Sequence, residues 1–341
     1  MKRDNHYVPD SYLKRWSNAD GKVSTYRLLV QHKNARQWKT YSPKSIGFHQ
    51  HLYTQITAGG ESDAFEDWIA REYEDPAAKP IQRVVNGLEL NKEEWKILIR
   101  YLAAQDVRTP AHLMERMQQW TKTIPPILND SLRRSVKIPK NSRHSGKSIR
   151  LLLDENLSDS FPLRTTIERN DKEKTAHISV DTIIGRQLWL WSIKHALTST
   201  LNILYKHHWT ILTSPPGIEW LTSDNPVVRL NYYGNENYDL KGGWGQKNGV
   251  IFMPISPTQL MFTQVGYSQK ISSETSLMFS AKIQRYIIEN AHRYVFSRRI
   301  DPQVVMWRPR QVNSATFHAE AEYWRKWHEN QSNAEIELMT K

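Results

Sequence analysis

The chain has 341 residues, 47 Lys and Arg against 35 Asp and Glu, a net charge of +12 and no cysteine. That composition excludes disulfides, thiolate metal sites and cysteine nucleophiles, and it points to an anionic partner, most simply nucleic acid or a nucleotide. With 39% hydrophobic residues and 13 Trp, one compact domain can be packed.

The first dozen residues carry His6, Tyr7, Val8, Pro9, Tyr12, Leu13 and Trp16. Chain termini fray unless tied down, so this aromatic content predicts a docked arm, with Asp10 or Ser11 capping a short helix that starts just after His6. A short strand is expected at 21–26. His49 and His51 share one face of an extended stretch, which reads either as a metal pair or as ordinary exposed strand histidines. Ser62 caps a helix in which Phe65, Trp68, Ile69 and Glu72 fall on one face, ending at Asp75-Pro76. Glu72 therefore interrupts an apolar stripe, and a buried carboxylate needs a partner.

The next helix opens with a capping box, Asn91 and Glu94, and carries Trp95, Leu98, Ile99 and Leu102 on one face. Gln105 lies close to that face, with Arg108 about one turn on, so a Glu72–Arg108 pair tying the two helices is the structural alternative to a shared site. Helix continues from 111 to Pro125-Pro126. Arg133, Arg134, Lys137, Lys140, Arg143, Lys147 and Arg150 then form a run without Asp or Glu, interrupted by Pro, Ser, Asn and Gly, which reads as a basic mobile loop over 131–150.

Order resumes at 151, and a long helix from Asp181 to about 208, apolar nearly all round, is expected at the centre of the core. Arg186, Lys194 and His195 interrupt this run, so it is not expected to span a membrane. From Trp209 the period shortens to strands at 209–212, 218–221, 226–230, 250–253 and 259–263, an antiparallel sheet or meander within 209–270. Ser223-Asp224-Asn225-Pro226 makes a tight polar turn inside it. Helices at 276–296 and 314–328 close the chain. The expected fold is α+β: a helix-rich N-terminal half packed on a small, mainly antiparallel sheet in the C-terminal half. No leader-like composition opens the chain, so a cytoplasmic protein is expected.

Five stretches carry a family resemblance: His6-Tyr7-Val8-Pro9, residues 104–110 with Gln105 and Arg108-Thr109-Pro110, residues 221–227 with Ser223-Asp224-Asn225-Pro226, Met253-Pro254-Ile255-Ser256-Pro257, and residues 289–295. Together they resemble the bacterial domain-of-unknown-function family 4238, with Asp10-Ser11 and Trp16 departing from its pattern. The resemblance implies no activity; at most it suggests an accessory-gene product with a defence or toxin role.

The residues themselves suggest a hydrolase, a nuclease acting on phosphodiesters. His6 would serve as general base or acid, and Glu72 and Asp224 as acid and base or as ligands of Mg2+ or Mn2+. Arg108, positioned by Gln105 and with Asn225 nearby, would clamp the phosphate, while the basic run supplies affinity for the polyanion. These residues are expected to converge on one cleft between the arm, the helices and the sheet. Two alternatives stay open: a non-catalytic nucleic-acid or protein-binding module, and an enzyme on a nucleotide-like small anion. Arg285 and His292 also resemble the Arg…His pair of HEPN ribonucleases, without a four-helix layout around them.

Overall fold

The computed structural model describes residues 3–57, 59–136, 162–170, 175–267 and 273–340. Of the basic run, Arg133 is exposed at the end of the helix Pro110–Val136 and Arg134 follows it on the same helix. Lys137, Lys140, Arg143, Lys147 and Arg150 lie outside the described residues.

The expected division into a helical first half and a sheet-bearing second half is wrong. Seven short strands occur before residue 63, and the helices Ala64–Ile69, Ala78–Val85, Lys92–Val107 and Pro110–Val136 follow them. The protein is a mixed α/β fold with several antiparallel sheets. A four-stranded sheet runs in the order Thr222–Ser223, Tyr294–Ser297, Val23–Arg27, Trp38–Tyr41. Its central pairing joins Tyr26 to Val295, so the two ends of the chain share one sheet. A second sheet, five-stranded and antiparallel, has the order Trp209–Thr213, Gln259–Gln264, Gly249–Pro254, Val228–Gly234, Asn237–Asp239. These are the expected antiparallel strands, less the segment 218–221, whose neighbours Thr222 and Ser223 belong to the other sheet, but they do not form a meander, because the first strand pairs with the last.

The N-terminal arm is docked. Asp4–His6 pairs antiparallel with Phe48–Gln50, and the backbone amides of Tyr7 and Val8 both donate to the Gly47 carbonyl, at 2.9 and 3.1 Å. Gly47 has φ +74°, and a Cβ there would stand 3.1 Å from the Val8 carbonyl oxygen, so a side chain would be both strained and crowded. The short helix Asp10–Leu13 starts after Pro9 without a side-chain cap. Tyr12, Leu13 and Trp16 are fully buried. The Tyr12 hydroxyl meets Thr222 Oγ1 and the Pro254 carbonyl, both at 2.7 Å, and Trp16 Nε1 donates to the Trp220 carbonyl.

Three helices depart from expectation. Pro110–Val136 passes through Pro125 and Pro126 at a stretch where Thr121, Lys122, Thr123 and both prolines are exposed, so a broken helical bond costs less there than in the core. The central helix begins at Arg186 rather than Asp181, since Thr175–Thr182 pairs with Leu163–Asn170 in a hairpin; it passes into a π turn at Ala196–Thr200 and a 3-10 stretch at Leu201–Lys206. The helix Leu277–Asn290 stops short of 296, and the chain turns at 291–293 into the strand Tyr294–Ser297. The last helix, Ser314–Thr340, runs back beside Phe48–Gln50 and the hairpin strand Gln55–Thr57. No described helix is long and apolar enough to cross a membrane.

Candidate functional site

Arg108 caps the end of Lys92–Val107 and is 2% exposed. Its Nη2 donates to the His6 carbonyl at 2.9 Å, its Nε to the Tyr7 carbonyl at 3.1 Å, and its Nη1 to Glu74. The nearby Glu74 carboxylate and Tyr53 oppose its desolvation and hold the guanidinium in its charged form. All three contacts are internal. Arg108 fastens the arm to the helices and leaves no donor directed at a phosphate.

The partner is Glu74 and not Glu72, for a local reason. After Ala64–Ile69 the helix widens into a π turn at Ala70–Glu74, which adds a residue to the turn and shifts every later side chain around the axis. Tyr73 thereby takes the core position, following Phe65 and Ile69. Glu72 is left 42% exposed, bonded to Arg71 at 3.2 Å and facing Arg100 at 3.6 Å. Exposed pairs of this kind are worth little. Replacing Glu72 by Gln is expected to change stability by less than about 0.5 kcal/mol in urea titration, where a buried role would give several times that.

His6 is half-buried beside Phe48, ring centroids 5.4 Å apart, and burial lowers its pKa. Its Nε2 is enclosed without a hydrogen-bond partner, and both amide atoms of the fully buried Gln105 are likewise unbonded. Neither residue lines the cavity described next.

Asp224 does line it. The carboxylate is 2% exposed, and its oxygens accept the backbone amides of His292, at 2.8 Å, and Arg293, at 2.7 Å. Burial pushes its pKa up to about 6 even against those hydrogen bonds. Asp224 thus holds the 291–293 turn in place. Asn225 holds the same corner: its Oδ1 accepts from Thr109 Oγ1 at 3.2 Å and its Nδ2 donates to the Asn290 carbonyl at 3.1 Å, while Asn290 Nδ2 returns bonds to the Asn225 and Val227 carbonyls.

The expected five-residue cleft is therefore not formed as drawn. His6 and Arg108 meet through the His6 carbonyl, Asp224 and Asn225 anchor a neighbouring corner, and Glu72 stands apart from both. Glu72 faces Arg71 and Arg100, and each Asp224 oxygen accepts a backbone amide.

The cavity at that corner measures about 160 Å³ and is lined by Tyr7, Arg27, His49, Asp224, His292 and Arg293, with Tyr294, Phe317, Glu320 and Trp324 completing the wall. His49 is sandwiched between Trp324, 3.9 Å away and nearly parallel, and Tyr7, at 5.3 Å. This packing removes water from the ring and lowers its pKa to about 4. His292 falls to about 3, first through burial and then through the charges of Arg293 and Arg308 and the nearness of His49. Arg293 is bonded to Glu320 at 2.7 Å. The Arg27 guanidinium lies over Phe317, at 4.5 Å, and Tyr294, at 5.6 Å, and makes no ion pair among the described residues.

Two neutral histidines, a free guanidinium and a carboxylate that fixes one histidine's backbone thus share a small cavity. Sequence reasoning named both rings but did not join them, setting His49 beside His51 and His292 beside Arg285. His49 follows Phe48 in a strand whose partner lies more than forty positions away, and His292 sits in a turn where periodicity suggested helix. Arg285, proposed above as the companion of His292, is bonded to Glu289 at 2.8 Å and stacked on Trp307, so the HEPN-like pair is not made.

Two other places merit comparison. A larger cavity of about 580 Å³ lies between residues 84–95 and 208–213, with Glu89 and His208 as its ionisable lining. His51, Glu61 and His328 bring ligand-type atoms within 4.8 Å of one another. There, however, Arg186 Nη1 donates to His328 Nδ1 at 3.1 Å, which puts the ring proton on Nε2, facing Glu61 at 2.9 Å. The nitrogen a metal would need is already protonated, and the cluster reads as a latch between the last helix and the hairpin.

Compared with known proteins, residues 4–301 match one family, described as Protein of unknown function (DUF4238). No curated protein and no solved structure matches the chain.

Proposed function

The chain belongs to the DUF4238 family, and we propose that it is a phosphodiester-cleaving enzyme, a nuclease, whose acid and base are His49 and His292 rather than His6 and Glu72. The observation that carries this reading is the pair of imidazoles, drawn from separate elements into one cavity beside the unpaired Arg27.

In the resting site both rings are neutral near pH 7, as a general base must be. A bound phosphate brings negative charge next to them and favours protonation of one ring, which supplies the acid. Water then attacks phosphorus as the neutral ring takes its proton; the bond to the leaving oxygen breaks as the protonated ring gives that oxygen a proton. One water is consumed and the two rings exchange protonation states. Arg27 stabilises the charge that develops on the non-bridging oxygens, and Asp224 positions His292 through the backbone. In this scheme Asp224 never touches the substrate.

The test is incubation of purified protein with plasmid DNA and total RNA, with Mg2+, with Mn2+ and with EDTA. Cleavage that survives EDTA and falls about 10²–10³-fold in His49→Ala and in His292→Ala, with melting curves retained, is the expected result. Undiminished cleavage by both variants would overturn the assignment. A non-catalytic binding module is the second reading, favoured by one observation: Arg108, Asp224 and Asn225 all spend their hydrogen bonds inside the protein. Binding of either polymer without cleavage under any condition would select it.

A further inference from the structure

Beside the histidine cavity lies a second one of about 160 Å³, sharing with it the walls Arg27, Tyr294 and Phe317. Its remaining charged and titratable lining is His32, Arg36 and Lys39, and no carboxylate lines it. Arg27, Arg36 and Lys39 make no ion pair among the described residues, although many of the protein's other arginines are paired. Glu320, which lines the adjoining histidine cavity and not this one, is bonded to Arg293. Arg27, Arg36 and Lys39 are all exposed on this concave wall, so an anion seated there meets three positive charges and no carboxylate.

Arg27 and Lys39 are carried by the paired strands Val23–Arg27 and Trp38–Tyr41. The loop between them, which carries His32 and Arg36, is held from outside: Arg310 donates to the carbonyls of Ala35, at 2.6 Å, and Lys33, at 2.9 Å, and Gln31 is bonded to His318 of the last helix at 2.8 Å. Tyr41, Tyr294 and Phe317 share the lining, and Arg27 lies over the last two. Cations and rings on one concave surface suit a single nucleic-acid strand, with phosphates on the cations and bases or sugars on the rings.

We propose that this second cavity is a phosphate subsite for the nucleotide next to the scissile bond, so that the substrate is a single strand of nucleic acid and not a free nucleotide or a duplex. The proposal rests on the reading of the adjoining cavity as the cleavage site. A mononucleotide offers phosphate to one cavity and leaves the other empty. A duplex is too thick to lower its backbone into two concavities of this size that share a wall.

The experiment compares three probes, a ten-nucleotide single strand, the same sequence as a duplex, and bis(p-nitrophenyl) phosphate, using wild type and the double variant Arg36→Ser, Lys39→Ser. The wild type should cut the single strand at least about tenfold faster than the duplex. In the double variant KM for the single strand should rise about tenfold with kcat within twofold, the bis(p-nitrophenyl) phosphate rate should not move, and the slope of log affinity against log salt should flatten by roughly 1.4, near 0.7 for each lost contact. Equal losses on the strand and the small diester, or a duplex cut as fast as the strand, would overturn the subsite. If wild type cuts none of the probes, the cleavage reading has failed by itself. Anisotropy titration of the single strand then decides the subsite alone, for which unchanged affinity and salt slope in the double variant would be fatal.

Discussion

Replacing Arg108 by Ala is expected to destabilise the protein by about 3–5 kcal/mol, the cost of breaking a buried ion pair by removing one partner. The substitution leaves the part-buried Glu74 carboxylate without its partner and unbonds the His6 and Tyr7 carbonyls together. It also releases the arm at the point where it crosses the helices. Lys should rescue little of this, because one ammonium on a flexible stem cannot reproduce three bonds made in different directions from a planar fork. Urea titration of the Ala, Lys and Glu74→Gln variants measures it. A loss below about 1 kcal/mol for Arg108→Ala would mean that the fastening is incidental and that the arginine is free for another task.

Acid should loosen the protein well before its carboxylates titrate as a group. His49 and His292 have folded pKa values of about 4 and about 3, below the ordinary histidine value of 6.5. A group depressed on folding binds fewer protons in the folded state. Its contribution is therefore complete above pH 6.5 and is lost as pH falls toward its folded value. At pH 5 each ring should have cost about 1–2 kcal/mol relative to pH 7, the lower figure allowing for their partial contact with solvent. The buried His112, also depressed, adds to the same trend. Asp224 works the other way: raised to about 6, its charged form is disfavoured at neutral pH, and that cost is relieved between pH 6 and its unfolded value. Burial also raises Asp106, which acts in the same sense as Asp224, and several histidines against these two carboxylates leave a net loss. Melting temperature followed from pH 7.5 to 4.5 should fall steeply in wild type and less so in His49→Gln and His292→Gln. Parallel curves for all three would show that the rings are not desolvated as the structure has them.

Local signals were legible in the sequence alone. Asn91 and Glu94 form the capping box their spacing announced, with both reciprocal bonds made. The arm docks because Tyr7, Val8, Tyr12, Leu13 and Trp16 can only be stable out of water. The pattern after Trp209 marked the strands 209–213, 228–234, 249–254 and 259–264 but not their order, since the first of them pairs with the last. Lack of cysteine settled thiol chemistry outright.

What tertiary structure decided is whatever depended on a partner distant in the chain. Val23–Arg27 reads as a strand from its own residues, but nothing in them names Tyr294–Ser297 as its neighbour, and that pairing overturns the division into a helical half and a sheet half. Periodicity assumes a constant angle per residue. The π turn at Ala70–Glu74 broke that assumption, rotated Glu72 out to solvent and gave Arg108 to Glu74. Asp224 was found by its turn, yet its role depends on which amides it meets, and those belong to His292 and Arg293. His49 was read as an exposed strand histidine because a strand's pattern shows two faces without showing what covers either. The cover is Trp324, on a helix nearly the whole chain away.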